Sequence, residues 1–403
     1  MTRRQLRDIA LYVLAPLLGG LTPLAVIPAV TSTAGADGWA SVAVALAVGV
    51  ALSVVAELGW TIVGPQRVAR DRAGALGLYD AAFASRLAAV AVLGPVASVV
   101  TASLVDSHRP AAALLAFAVV AASLNPTWYF IGTGQPVLIV VCETVPRVAL
   151  TLFAAFAIAD GAPLEVYGGA LLAGVLACWA LAVWLGRLPA APSRPAWAAV
   201  PQTLREQGVL LAGRGITTVY KSLPIVLVGL AAPSAVAAYG AVDRPLRMGL
   251  VVLAAVPNRM QAWVGHPERH HRVRRARLSI GLNAALGLVA GLVFAVAMPW
   301  LSPWLFSGVV TFSAAAAIWG GVLVAVISLS RGLGLALVAD DRAGTTTWAS
   351  VAAAAVAVVG VPVGAVSAGV AGALAGLVVA ETAGVVVQAL ALRARVDARA
   401  VAA

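Results

Sequence analysis

Twelve runs of mostly apolar residues, separated by short arginine-bearing segments, leave this chain very few folds to choose from. A helix needs about 20 apolar residues to cross about 30 Å of hydrocarbon. The runs fall at 9–30, 39–63, 81–105, 110–132, 136–159, 167–188, 208–231, 234–257, 279–301, 309–338, 346–368 and 370–392. Charged residues make up only 11% of the chain and hydrophobic ones 62%, whereas a soluble domain carries about 25% charged residues. Such a surface cannot be kept in water, so a soluble enzyme, a disordered chain and a disulfide scaffold are all excluded. The reading is an all-α polytopic membrane protein with twelve transmembrane helices.

The arginines orient the spans. The net charge of +11, from 27 Lys and Arg against 16 Asp and Glu, would point to nucleic acid in a soluble protein. Between membrane spans it is a matter of topology, because basic residues stay in cytoplasmic segments; no nucleic-acid partner is expected. With the N-terminus inside, the inner segments hold Arg3, Arg4, Arg7, Arg67, Arg70, Arg72, Arg187, Arg194 and Arg205. They continue with Arg259, Arg269, Arg272, Arg274, Arg275, Arg277, Arg342, Arg393, Arg395 and Arg399, against Arg109 alone outside. A miscount of one helix would scramble this alternation, so both termini are expected in the cytoplasm and the chain in the inner, cytoplasmic membrane. Trp39, Trp300 and Trp304 fall at outer span ends, and Trp60, Trp128, Trp184 and Trp263 at inner ends, where Trp anchors at the interface. The first run is longer than a signal-peptide core and contains Pro16, Pro23 and Pro28, which favours a retained helix.

The Pro-rich segment 189–207 divides the spans six and six, giving lobes at 1–188 and 208–403 with a cytoplasmic linker between them. Pro65-Gln66-Arg67-Val68 at the end of the second span and Pro257-Asn258-Arg259-Met260 at the end of the eighth support an internal repeat. Six is even, so the halves share one orientation, as in parallel repeats.

Seven basic residues remain inside the spans: Arg86, Arg147, Arg214, Lys221, Arg244, Arg247 and Arg331. Each costs about 2.5–3.5 kcal/mol at a helix centre, so they must snorkel, pair with acids or face a wet interior. Glu57, Glu143, Asp243 and Glu381 are the intramembrane acids. Glu143 and Arg147, and likewise Asp243 and Arg247, have the i,i+4 spacing of a local ion pair. Arg86 and Arg331 lie near enough to the inner surface to snorkel. Arg214 and Lys221 share one face of the seventh span with no acid in helical reach, and Arg244 is unmatched if Asp243 serves Arg247. These three form the core of a candidate basic patch, with Arg147 and Arg247 near it. Its physical partner is an anion such as phosphate, which arginine grips with a bidentate fork.

Other chemistry is absent. There is no Gly-x-x-x-x-Gly-Lys phosphate loop, and Cys142 and Cys178 sit in apolar runs without metal-ligand spacing. His266, His270 and His271 belong to an Arg-rich inner segment that should meet anionic lipid headgroups. No catalytic residue, metal or cofactor is expected, and the chain does not read as an enzyme.

Asn125-Pro126-Thr127-Trp128-Tyr129-Phe130-Ile131-Gly132, at the inner end of the fourth span, resembles the Pro-x-Trp-x-Phe-x-Gly signature of bacterial polysaccharide (O-antigen-type) flippases. Ala237-Ala238-Tyr239-Gly240-Ala241-Val242-Asp243-Arg244, early in the eighth, is similar to their Tyr-small-x-x-x-basic stretch. That family belongs to the multidrug/oligosaccharidyl-lipid/polysaccharide exporter superfamily. The sequence departs from it at Thr133-Gly134-Gln135-Pro136, where the family often places an acidic residue after the glycine. The resemblance implies two six-helix lobes around a central cavity, flipping polyprenyl-pyrophosphate-linked oligosaccharide from the inner to the outer leaflet by alternating access. The lipid-linked glycan and the membrane lipids are then the partners, with a glycan polymerase or glycosyltransferases as protein neighbours. Three alternatives stand beside it: a drug–cation antiporter using Glu57, Asp243 or Glu381 for the coupling ion, a peptidoglycan-precursor flippase, and a non-transport membrane scaffold.

Overall fold

The computed structural model describes residues 18–19, 21–254, 260, 269–340 and 342–400, apart from the side chains at 62, 206–221, 269–272, 343 and 394–400. The described residues form helices and no strand. Apolar side chains stand outward along many of these helices, Phe156, Leu292, Trp300, Trp304 and Val366 among them. In water such a surface would aggregate; in a bilayer it is solvated by acyl chains.

The helices are α1 (Val26–Ala56), α2 (Trp60–Arg70), α3 (Ala75–Leu104), α4 (Arg109–Ala121), α5 (Thr127–Thr133), α6 (Val145–Ala159) and α7 (Glu165–Trp184). They continue with α8 (Arg194–Ala198), α9 (Val200–Ala231), α10 (Val236–Leu253), α11 (Arg269–Leu305), α12 (Ala314–Ala339) and α13 (Ala343–Ala400). Eight stretches are long and apolar enough to cross a membrane. Two of them are double: α1 with its leading turn is interrupted at Gly35, and α13 at Ala368–Gly369. With α9 and α10, the twelve expected spans are all represented by helix, although the first begins outside the described residues.

The contacts divide the chain into two compact units, Met1–Ser222 and Leu223–Ala403. In the first, α1 packs on α3, α4 and α6, and α7 packs on α4 and α6. In the second, α12 lies between α11 and α13. Within α13 the two limbs fold back on each other, because Gly369 takes φ +58° and ψ −138°, a region open essentially to glycine alone. Their backbones then come so close that a Cβ on Gly364 would lie 2.1 Å from the Gly372 oxygen, and one on Gly376 2.2 Å from the Gly360 oxygen. Lipid is as apolar as leucine, so helices in a membrane associate through such close packing rather than through hydrophobicity.

Several local expectations need correction. The second span is not continuous: Leu58 and Gly59 both have positive φ and separate α1 from α2. The Arg-rich segment before the ninth span is no loop from 269 onward, since α11 begins at Arg269 and carries Arg274, Arg275 and Arg277 on helix. The segment 189–207 holds α8 and the start of α9. Ser193 caps α8 and donates from its backbone N–H to Asp80 Oδ1 at 3.1 Å, binding this stretch to α3. Trp39, Trp60 and Trp128 are buried in protein packing, while Trp184, Trp300 and Trp304 are exposed. The repeat motif Pro257-Asn258-Arg259 and the Trp263 anchor lie outside the described residues.

Candidate functional site

The fourth span ends in a break that organises the first unit. α4 passes into a 3-10 turn, Ala122–Leu124, and Asn125 leaves helical geometry with ψ +136°, as a residue before proline is pushed to do. The chain restarts as α5 and stops at Gly134, whose φ of +72° closes the helix. Trp128 and Phe130 are fully buried. Trp128 packs against Trp60 with the rings tilted by 33° and 5.6 Å between ring centres, and Tyr79 meets Tyr129 edge-on at 5.4 Å.

Two glycines make this knot fit. A Cβ on Gly64 would fall 2.2 Å from the Trp128 ring, and one on Gly132 would fall 2.7 Å from Val68 Cβ. Thus α2 receives the tryptophan of the motif, and the motif's last glycine receives a side chain of α2. The signature residues interlock two helices, and this explains most of their pattern.

The remaining motif residues touch charge. Arg86 on α3 is 2% exposed, so it does not snorkel as expected; it is held inside the unit. Its Nη2 donates to the Asn125 carbonyl oxygen at 2.9 Å, an acceptor freed by the helix break. Glu57 and Glu143 stand within electrostatic reach of it. Glu143 lies in a π-helical turn, Val140–Thr144, a distortion that recurs at functional sites. It accepts a hydrogen bond from the Thr127 hydroxyl and pairs with Arg147 Nη2 at 2.8 Å. Arg147 also lines the flank of Gly19, with its Nη1 3.6 Å from where a Cβ would stand. Glu57, at the break after α1, accepts from Thr61 Oγ1 at 2.9 Å.

The second unit holds a similar set. Tyr239, Asp243 and Arg247 follow at four-residue intervals on one face of α10. Asp243 Oδ2 accepts from Arg247 Nε at 2.5 Å, so both anticipated i,i+4 pairs form. Arg244, expected to be unmatched, is half-buried and has a partner of its own. Glu381 on the second limb of α13 acts electrostatically on Arg247 and on Arg331. Arg331 is half-buried and donates from Nη1 to the Leu250 carbonyl at 2.7 Å, joining α12 to α10. The Tyr239 hydroxyl is buried without a hydrogen-bond partner among the described residues.

The helix carrying Arg214 and Lys221 is part of α9, but both side chains lie outside the described residues. Residues the sequence reading did not single out include Asn125 and Thr127 as partners of charges; their place in the motif was the available signal. Among the described residues no group of three or more His, Cys, Asp or Glu gathers at metal-binding distance.

No family model matches the sequence, and no curated protein does. Solved structures do match along nearly its whole length. An inward-facing multidrug resistance MATE family transporter of the MOP superfamily superposes with a TM-score of 0.65 at 15% identity, covering 96% of this chain and 94% of that one. A MATE structure in the bent conformation gives 0.55 at 15% identity, over 97% and 95%. A MOP superfamily transporter from Pyrococcus furiosus, whose reverse polarity of binding pocket suggests a different function, gives 0.55 at 16% identity over 97% and 93%. This chain therefore has the fold of MATE transporters of the MOP superfamily.

Proposed function

We propose that the protein is an alternating-access transporter that flips a polyprenyl-pyrophosphate-linked oligosaccharide from the inner to the outer leaflet of the cytoplasmic membrane. The fold shared with transporters supports the coarse part of this reading. The observation that carries the fine part is the excess of cations in the spans: Arg86, Arg147, Arg214, Lys221, Arg244, Arg247 and Arg331 against Glu57, Glu143, Asp243 and Glu381. Arg86 and Arg331 are committed to carbonyls that join helices. Arg147, Arg214, Lys221, Arg244 and Arg247 are the set assigned to the diphosphate, exchanging any partners they have for its oxygens.

In this reading the guanidinium groups of Arg147 and Arg247 exchange their local carboxylates for phosphate oxygens when substrate arrives. Glu143 and Asp243 keep the two arginines oriented and neutralised in the empty transporter, so that an unpaired charge is never left in hydrocarbon. The prenyl chain stays in the bilayer while the diphosphate and sugars cross. Both termini lie in the cytoplasm, and a glycan polymerase or glycosyltransferases work on the same lipid-linked substrate.

The test is reconstitution into vesicles with a fluorescent polyprenyl-pyrophosphate oligosaccharide and readout of its access to an external quencher. Transport by the native chain and its loss in Arg147→Ala, Arg244→Ala and Arg247→Ala, with insertion unchanged, is the expected result. A specific observation favours a second reading, a drug–cation antiporter: Glu57 accepts from a neutral hydroxyl at a helix break, a setting suited to a coupling carboxylate. Cation-driven drug uptake that Glu57→Gln abolishes, with no glycan movement, would establish it instead.

A further inference from the structure

We infer that the inner end of α11 is a binding site for an anionic phospholipid of the cytoplasmic leaflet. A concave surface of about 700 Å³ opens there, lined among the described residues by Val273, Arg274, Arg277, Leu278, Gly281 and Leu282. These positions fall on one side of the helix at three- and four-residue intervals. Arg274 and Arg277 are exposed and make no ion pair or hydrogen bond among the described residues. One turn further into the helix, Leu278 and Leu282 are about half exposed. A Cβ on Gly281 would meet nothing within 4 Å, so the groove between the two leucines is open.

The order of these groups matches one ligand. From Arg277 to Leu282 the helix rises about 7 Å, roughly the step from a phospholipid's phosphate to its first acyl carbons. Two guanidinium groups would clasp the phosphate through charge-assisted hydrogen bonds, and the leucine pair with the open glycine would seat an acyl chain. A soluble anion would use only the upper half of the groove. The site is independent of the proposed glycan transport, since no residue assigned to the diphosphate takes part in it.

The full chain carrying Ala285→Cys, labelled with bimane one turn below the groove, reports on this site; Cys142 and Cys178 are buried. In phosphatidylcholine vesicles, doxyl-labelled phosphatidylglycerol should quench the bimane several-fold more efficiently than doxyl-labelled phosphatidylcholine at equal mole fraction. Arg274→Gln with Arg277→Gln should lower that preference to near parity, while Arg274→Lys with Arg277→Lys keeps most of it. No preference in the native chain, or a preference that survives the glutamine pair, would overturn the inference. So would a lysine pair as inert as the glutamine pair. Loss of the preference in excess inorganic phosphate would reassign the groove to a free anion.

Discussion

Arg86 and Asn125 solve each other's problem: the guanidinium Nη2 donates to the carbonyl oxygen at 2.9 Å, giving a buried cation a partner and a broken helix a donor. The carbonyl is free only because Pro126 ends the helical ladder, and the arginine is tolerated at 2% exposure only because that acceptor exists. Glu57 and Glu143 act on the same guanidinium electrostatically and favour its charge. A sequence motif, a helix break and an intramembrane charge are thus parts of one arrangement.

Arg86→Met should therefore destabilise the protein by about 1–3 kcal/mol, the cost of an orphaned buried acceptor. Thermal unfolding in detergent would register it as a lower midpoint. Arg86→Lys, which retains the charge without the planar fork, should fall between the two.

Gly132→Ala should be destabilising by about 1–3 kcal/mol, because the added methyl group overpacks against Val68. Val68→Ala removes the Cγ1 that lies 2.8 Å from that position but keeps the Cβ at 2.7 Å, so in combination with Gly132→Ala it should recover only a small part of the loss. Non-additivity in a double-mutant cycle, measured by the same unfolding assay, is the expected signature. The Pro65 carbonyl, 2.9 Å from the same Cβ position, will keep the rescue incomplete.

Glu143→Gln and Asp243→Asn remove the local partners of Arg147 and Arg247. Each substitution leaves an arginine without its carboxylate inside a span, so it should lower stability. If the arginines bind a diphosphate, neutralising the acids should tighten substrate binding and slow its release. Binding of the lipid-linked glycan and its flipping rate should then move in opposite directions.

The topology has a direct check. A cysteine at His108 should react with an impermeant reagent from outside, and one at His270 only after the membrane is opened. The opposite pattern would reverse the orientation drawn from Arg109 and the inner arginines.

Hydropathy along the chain was enough to reveal the helical class and the twelve spans, because the cost of burying charge in hydrocarbon acts on each stretch separately. The i,i+4 pairs at Glu143–Arg147 and Asp243–Arg247 were legible for the same reason: helical geometry alone brings those residues together. The burial of Trp60 and Trp128 was not, since a bilayer and a protein interior are equally apolar and no scale of hydrophobicity tells one from the other. Arg86 looked free to snorkel because its acceptor lies 39 residues away and is exposed only by the break at Asn125. Where two helices touch is decided by which glycine faces which side chain. Gly64 under Trp128 and Val68 against Gly132 exist as contacts only once the chain is folded, and that packing turned a string of spans into a specific structure.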